Sequence, residues 1–185
     1  MTDAELKTAL CEVAYLEGDF VLRSGKRSRY YLDKYRFETR PDLLGALGER
    51  IAELVAEFEP EARRLAAPEL GAVPLAAAAS LASGLPFLIV RKDAKGYGTS
   101  NRLEGVWQPG ERVCLVEDVV TSGGAAVAAV EALREAGLEC GTAICVVDRE
   151  EGGADALARQ AVRLRPLFRA SELLEEAVVP ANPHG

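Results

Sequence analysis

The sequence is poor in histidine, and this scarcity excludes several common active-site chemistries. Its single histidine, His184, lies one residue from the C-terminus. Catalytic triads and most catalytic zinc sites need a histidine that the fold holds in place. We therefore expect neither a histidine-dependent nucleophile nor a histidine-ligated zinc ion.

Cysteine is also scarce, and its spacing does not indicate a metal site or a disulfide framework. The chain has four cysteines, and no two of them form a C-x-x-C pair. They are Cys11, Cys114, Cys140 and Cys145. Packed free thiols are the expected state of such residues.

Long hydrophobic runs are missing as well. No stretch approaches the roughly 20 apolar residues that cross a bilayer. The first residues, MTDAELKTALCEV, lack the basic and then apolar pattern of a signal peptide. We predict a cytoplasmic protein without a membrane partner.

Basic residues are outnumbered by acidic ones, 22 against 29, and the formal net charge is −7. An acidic surface repels a phosphate backbone, so nucleic acid is not an expected partner. Any site for an anionic ligand must then be a local cluster of positive charge.

The first third of the chain predicts helices around a pair of strands. An amphipathic helix is expected over residues 4–17, and two strands are expected in DFVLRSG and SRYYLDKYRF, joined by a turn. A further helix begins at Pro41, because apolar residues then recur in steps of three and four.

From residue 63 onward, short apolar strands alternate with helices. Strands that are apolar on both faces and separated by helices are typical of a parallel sheet covered on both sides. We predict an α/β fold, and the length of 185 residues favours one domain, residues 1–185.

The stretch LVEDVVTSGG, residues 115–124, contains the most informative motif. Glu117 and Asp118 come at the predicted carboxyl end of a strand, where open α/β folds bind their ligands. The turn after them leads into a helix near Ala125, whose first N–H groups are free to bind a phosphate. A phosphorylated sugar has hydroxyls for the acids and a phosphate for the turn. The alternative is a capped helix behind two solvated acids.

This motif, as VCLVEDVVTSGG, resembles the phosphoribosyl-pyrophosphate signature of the type I phosphoribosyltransferases. The resemblance implies that Glu117 and Asp118 hold the ribose 2′- and 3′-hydroxyls, that Asp118 has a catalytic role, and that the turn cradles the 5′-phosphate. The implied contacts of phosphoribosyl pyrophosphate after the acids are Val119, Val120, Thr121, Ser122, Gly123 and Gly124. It also implies the type I fold, a central mostly parallel sheet flanked by helices, with an N-terminal hood formed mainly by residues 1–36.

A basic loop, RKDAKGYGTSNRLEG over residues 91–105, gives this acidic chain local positive charge. Such a loop can neutralise a departing pyrophosphate and exclude water; the alternative is a solvated hairpin with scattered lysines. The pattern R-K-x-x-K-x-[HY]-G is similar to the catalytic loop of orotate phosphoribosyltransferases. By that similarity Lys95 is the catalytic lysine, and Arg91 and Lys92 contact pyrophosphate. Tyr97 stands where many relatives have histidine.

The expected base site follows from the same resemblance. Residues 20–31, FVLRSGKRSRYY, resemble the orotate segment F-x-L-[KR]-S-G-x-x-S-x-Y, in which Arg23 contacts the base and Tyr30 and Tyr31 form a wall. Arg149 follows CVVD and corresponds to the arginine that binds the orotate carboxylate together with Thr121. An arginine fork and an aromatic wall suit a planar carboxylate.

The resemblance implies a magnesium-dependent orotate phosphoribosyltransferase of pyrimidine synthesis. Mg²⁺ would be held mainly by substrate oxygens, so no protein metal site is expected, and the family's active sites are shared in a homodimer. Gly71, in APELGAVPLA, stands where some relatives have a pyrophosphate-binding lysine; that contact would come from backbone N–H groups or be absent. The alternatives are a phosphoribosyltransferase for another base and a regulatory protein that binds phosphoribosyl pyrophosphate without catalysis.

Overall fold

The structure is a computed structural model that describes residues 1–21, 25, 27–92 and 102–178. Within these residues the chain forms eight strands and seven helices. The strands are β1 (Tyr15–Val21), β2 (Arg27–Leu32), β3 (Arg64–Pro68), β4 (Phe87–Val90), β5 (Leu103–Glu104), β6 (Arg112–Val120), β7 (Glu139–Asp148) and β8 (Arg163–Arg169). The helices are α1 (Asp3–Ala14), α2 (Tyr35–Glu38), α3 (Pro41–Phe58), α4 (Ala72–Ser83), α5 (Gly124–Glu135), α6 (Gly153–Arg159) and α7 (Ala170–Val178).

Six strands form the central sheet, in the order β5, β4, β3, β6, β7, β8. All neighbours from β4 to β8 are parallel, and the two-residue β5 is antiparallel to β4 at the edge. The alternation of strands and helices from residue 63 produces this arrangement, because parallel neighbours need a crossover connection. The predicted α/β class and mostly parallel sheet are confirmed.

Strand β6 lies in the middle of the sheet and is buried on both faces. Cys114 and Val116 belong to a hydrophobic cluster with residues of α1, α3, α4 and α7. Val113 and Leu115 belong to a second cluster, with residues of α5. Successive strand residues point to opposite faces, so the helices cover both sides of the sheet.

Helices α3 and α4 pack with their backbones close together. A Cβ added at Gly48 would lie 2.6 Å from the Cβ of Ala78, so a larger residue would force the helices apart. Helix α3 begins with Pro41 in its first turn, as predicted. Helix α4 ends where Gly84 adopts a left-handed conformation with φ 74° and donates its N–H to the Ser80 carbonyl.

The N-terminal segment forms its own two-stranded antiparallel sheet from β1 and β2. Helix α1 is held against α7 near the other end of the chain: Lys7 pairs with Glu176 at 3.1 Å, and the Cys11 thiol donates to the Leu173 carbonyl. All four cysteines are free and buried.

Two predicted boundaries in this segment are wrong. The first helix ends at Ala14 rather than at residue 17, because Tyr15 and Glu17 pair with β2 instead of continuing the helix. The stretch SRYYLDKYRF is not one strand. Strand β2 ends at Leu32, and the short helix α2 follows. Cross-strand pairing, which is not a local property of the sequence, decides both boundaries.

Candidate active site

The two adjacent acids lie in β6, two residues before the strand ends at Val120. The sequence had placed the strand end at Asp118. The extra residues Val119 and Val120 continue the pairing with β7. Glu117 is 6% exposed and Asp118 is 5% exposed. The pair is therefore buried near the carboxyl edge of the sheet rather than solvated.

Burial changes the protonation of Glu117. Desolvation, with repulsion from Asp118 adding to it, raises the pKa of Glu117 to about 8, although Lys34 acts in the opposite direction. A carboxyl with this pKa is largely protonated at neutral pH. The cluster consequently holds less negative charge than two adjacent acids suggest.

Asp118 is paired with Lys34, a residue that the sequence analysis did not single out. The Lys34 ammonium forms an ion pair with Asp118 Oδ2, and Asp118 Oδ1 accepts from the Val119 N–H at 2.5 Å. Lys34 follows β2, 84 residues before Asp118. The one signal in the sequence is that Lys34 comes soon after Tyr30 and Tyr31, in the segment predicted to bind the base.

Gly71 lies against this ion pair. A Cβ added there would overlap Asp118 Oδ2 and come within 2.7 Å of Lys34 Nζ. Glycine at position 71 lets the backbone before α4 lie against Asp118 while both side chains of the pair keep their positions. The lysine that some relatives have at this position would not fit without displacing the pair.

Glu38, at the end of α2, is the second residue that the sequence analysis missed. It is 2% exposed, and neither of its carboxyl oxygens has a hydrogen-bond partner within the described part of the chain. Burial raises its pKa to about 8, and repulsion from Asp118 adds to the rise. Buried polar groups normally have a partner, so Glu38 is an unusual group beside the acid pair.

The glycine-rich turn has an open helix start. Thr121 and Ser122 are exposed, and Gly123 is buried in a left-handed conformation with φ 81°. No side chain among the described residues caps α5 at Gly123. The first N–H groups of α5 are thus available to an anion, as the motif predicts.

Gly153 supports the turn from α6 and was also missed. A Cβ at Gly153 would overlap Val120 Cγ1 and lie 2.6 Å from the Thr121 carbonyl oxygen. A Cβ at Gly123 would in turn lie 3.0 Å from Gly153 Cα. These two glycines allow the backbones to touch, which fixes the shape of the turn.

The structure brings Arg149 and Tyr30 together beside the turn. The Arg149 guanidinium lies 5.1 Å from the centre of the Tyr30 ring, and the Arg149 N–H donates to the Val120 carbonyl at 2.8 Å. The side chain of Arg149 is 8% exposed and pairs with Glu151 at 3.0 Å. A guanidinium held over an aromatic ring beside the turn is an arrangement that can bind a planar anion.

Tyr31 does not join this pair. Its ring packs against Phe20, with ring centres 5.6 Å apart, and it is 42% exposed. Tyr30 instead stacks on Tyr15 at 5.7 Å. Neighbouring strand residues point to opposite faces, which explains why the two tyrosines separate.

The basic loop is described only at its two ends. The Arg91 N–H donates to the Arg102 carbonyl at 2.7 Å, and the Arg91 guanidinium pairs with Glu104 at 3.5 Å. The Lys92 N–H donates to Glu69 at 2.8 Å. Lys95 and Tyr97, as well as Arg23 in the orotate segment, lie outside the described residues.

Neither a protein metal site nor a membrane span emerges from the described residues. They contain no group of three or more His, Cys, Asp or Glu side chains that could hold a metal ion. None of their helices is long and apolar enough to cross a bilayer.

Known protein families include one that matches most of this chain. The model of the phosphoribosyl transferase domain family matches residues 36–160, which include the acid pair, the turn and Arg149. An orotate phosphoribosyltransferase from Methanocella arvoryzae is 51% identical over 173 residues, covering 93% of this chain and 97% of the relative.

Solved structures agree with the sequence relatives. The crystal structure of orotate phosphoribosyltransferase from Aeropyrum pernix is 34% identical with a TM-score of 0.82, covering 95% of this chain and 97% of that chain. The Mycobacterium tuberculosis H37Rv orotate phosphoribosyltransferase in complex with 5-phospho-α-D-ribosyl 1-diphosphate is 30% identical with a TM-score of 0.78, covering 92% and 98%.

Proposed function

The chain belongs to the phosphoribosyltransferase family, and within it to the orotate phosphoribosyltransferases, so we propose that it transfers phosphoribosyl from phosphoribosyl pyrophosphate to N1 of orotate. The products are orotidine 5′-monophosphate and pyrophosphate, in pyrimidine biosynthesis. The observation that carries the proposal is the position of Arg149, with Tyr30 against it, at Val120, where the turn after the acid pair begins. Base and sugar phosphate then meet at one edge of the sheet.

The acid pair and the turn bind the ribose phosphate in this proposal. Glu117 and Asp118 accept hydrogen bonds from the 2′- and 3′-hydroxyls of the ribose. The negative charge of Asp118 stabilises the positive charge that develops at C1. The 5′-phosphate lies on the first N–H groups of α5, with Thr121 and Ser122 as hydroxyl donors. Gly123 and Gly124 keep side chains away from the phosphate.

Orotate is held by its carboxylate and its ring. Arg149 binds the carboxylate together with Thr121, and the Tyr30 ring covers one face of the base. Arg23 supplies a further cation from the orotate segment. Tyr31 supports the hairpin by packing on Phe20.

In the chemical step, the N1 lone pair of orotate forms the bond to C1 while the bond from C1 to the pyrophosphate oxygen breaks. The electron pair of the broken bond leaves with pyrophosphate, and the released pyrophosphate takes up the N1 proton. Lys95 stabilises the negative charge on the leaving group, assisted by Arg91 and Lys92. The loop that carries them excludes water from C1.

Magnesium enters with the substrate in this proposal. Hard oxygen ligands are available on the diphosphate and the ribose hydroxyls, whereas Asp118 is already paired with Lys34. When bound, the ion would neutralise diphosphate charge. Glu117 and Asp118 would hold the ribose hydroxyls.

We further propose a cytoplasmic homodimer. Free buried cysteines are typical of a reducing compartment. Leu70 and Leu81 are 71% and 89% exposed, and a partner subunit would cover such apolar groups.

The test is to follow orotate loss with phosphoribosyl pyrophosphate and Mg²⁺, beside uracil, adenine and hypoxanthine. Wild type should consume orotate alone, and Lys95→Ala should lower kcat by about 100-fold or more, since it removes a stabilising charge. Turnover of another base by folded protein would support a different phosphoribosyltransferase. Tight binding of phosphoribosyl pyrophosphate without any turnover would support a regulatory protein.

A further inference from the structure

A lysine outside both the acid motif and the basic loop covers the buried acid of this site. Lys34 lies between β2 and α2, and its ammonium pairs with Asp118. The side chain of Lys34 is 31% exposed, whereas that of Asp118 is 7% exposed. Lys34 therefore stands between Asp118 and solvent.

Lys34 is a cation in this position. Burial acts to lower its pKa, but the hydrogen bond and the charge of Asp118 outweigh burial, so the pKa of Lys34 is raised. Its ammonium has three donors, and one of them reaches Asp118. The ammonium also lies 5.3 Å from the centre of the Tyr35 ring, and within the described part of the chain Asp118 is its one ion-pair partner.

The ion pair competes with the role proposed for Asp118. In this structure Oδ2 of Asp118 accepts from Lys34 and Oδ1 accepts from the Val119 N–H. A ribose hydroxyl that donates to Oδ2 must share that oxygen with Lys34 or replace it. A displaced ammonium then needs a new anionic partner, because an unpaired, partly buried charge is costly.

Position 71, next to the Lys34 ammonium, carries no side chain because it is glycine. A Cβ there would already come within 2.7 Å of Lys34 Nζ. The 5′-phosphate is assigned to the turn after β6, so pyrophosphate is the anion left to occupy this side of the ribose. Because position 71 is glycine, no side chain there supplies a cation, and the Lys34 ammonium lies close to that position.

Glu38 adds a third buried acid next to the ion pair of Lys34 and Asp118. Its two carboxyl oxygens are buried and lack hydrogen-bond partners among the described residues. It lies four residues after Lys34, at the other end of α2. Glu38 interacts with Asp118, so the charge that holds Lys34 in place depends on this buried acid as well.

We propose that Lys34 is a substrate-responsive counter-ion. In the free protein the Lys34 ammonium neutralises Asp118. When the ribose hydroxyls of phosphoribosyl pyrophosphate bind Asp118, the ammonium moves and pairs with a pyrophosphate oxygen instead. Lys34 thereby supplies, from the N-terminal segment, the cation that Gly71 does not carry. The inference rests on the proposed function and adds a specificity residue for the diphosphate.

The test compares Lys34→Gln and Lys34→Arg with wild type. Glutamine keeps a donor for Asp118 but removes the charge, whereas arginine keeps the charge. We expect Lys34→Gln to raise KM for phosphoribosyl pyrophosphate about 10- to 100-fold, the range of a charged hydrogen bond, while KM for orotate changes less than about twofold. Lys34→Arg should restore most of the affinity.

Arg36→Met is the matched control. Arg36 is also in this segment, but it pairs with Asp33 at 3.4 Å and is 52% exposed. It should leave both KM values within about twofold of wild type, the usual range for an exposed ion pair. Equal KM values for Lys34→Gln and wild type, or equal increases for both substrates, would overturn the proposal.

Calorimetric titration with phosphoribosyl pyrophosphate, in the absence of orotate, separates this inference from the proposed function. Wild type should bind phosphoribosyl pyrophosphate more tightly than Lys34→Gln by the same factor that KM shows. If wild type does not turn over orotate, the proposed function fails while the titration still decides the role of Lys34. Equal affinity of the two proteins for phosphoribosyl pyrophosphate would refute that role.

Discussion

The acids at the two edges of the central sheet differ in how many basic partners they have. At the amino edge, Glu59 accepts from the Thr142 hydroxyl at 2.7 Å and pairs with Arg112 at 3.4 Å. Glu111 accepts from two nitrogens of Arg64, at 2.6 and 3.0 Å. At the carboxyl edge, three acids share one lysine. They are Glu38, Glu117 and Asp118.

The carboxyl edge of the sheet differs from the amino edge in how its acids are paired. Both edges bear buried or half-buried charge, but at the amino edge each of these acids has a basic partner and stabilises the fold. At the carboxyl edge the pKa values of Glu38 and Glu117 are both raised to about 8. An edge that leaves its polar groups short of partners is organised for a ligand.

The largest expected effect is the loss of activity on changing Asp118. Asp118→Asn removes the charge that the ribose hydroxyls and the developing cation require, so kcat/KM should fall about 100- to 1000-fold. Titration of the variant with each substrate should show that the affinity for phosphoribosyl pyrophosphate falls more, relative to wild type, than the affinity for orotate. Equal weakening of both would contradict the ribose role of Asp118.

At the amino edge, the corresponding change should affect stability and spare activity. Glu59→Gln removes the charge that pairs with Arg112, and its amide adds a donor, so the free energy of unfolding should fall by about 1 to 2 kcal/mol. Urea unfolding and steady-state kinetics on the same sample measure both effects. A large loss of kcat/KM with unchanged stability would remove the contrast between the edges.

A smaller effect is expected for the pH dependence of stability at Glu38. Because the folded pKa of about 8 lies above the ordinary value of 4.5, stability from the protonated carboxyl is present at low pH and lost as pH rises toward and through 8. Glu38→Gln stays neutral while Lys34 and Asp118 are kept. As pH rises from 6 to 8, the free energy of unfolding of the variant should fall by roughly 1 to 2 kcal/mol less than that of wild type.

Unfolding curves at pH 6, 7 and 8 measure this difference directly. Glu53→Gln is a suitable control, because Glu53 is exposed and pairs with Arg50 at 2.6 Å on the surface of α3. The control should follow the wild-type pH dependence. An identical slope for Glu38→Gln and wild type would show that Glu38 is not protonated in the folded chain.

Sequence reasoning succeeded where chemistry and chain order coincide. The acid pair, the glycine turn and the start of α5 are contiguous, so strand and helix periodicity were enough to place them together. Pro41 marked the start of α3 by its own backbone preference. The parallel sheet followed from the alternation of elements.

Long-range contacts account for what the sequence could not predict. The pairing of Lys34 with Asp118 spans 84 residues, and no local pattern distinguishes that lysine from a surface charge. Glu38 is informative only because packing buries it. Tyr30 and Tyr31 look equivalent in sequence, and only the pairing of β1 with β2 assigns one to Arg149 and the other to Phe20.

Hydrogen exchange of the backbone with and without substrates tests the contrast between the edges most directly. Addition of phosphoribosyl pyrophosphate, orotate and Mg²⁺ should slow exchange in residues 121–126 and 148–150. Residues 59–62 and 109–112, at the amino edge, should be unchanged. Protection at the amino edge, or no protection at residues 121–126, would contradict the assignment of the carboxyl edge as the substrate site.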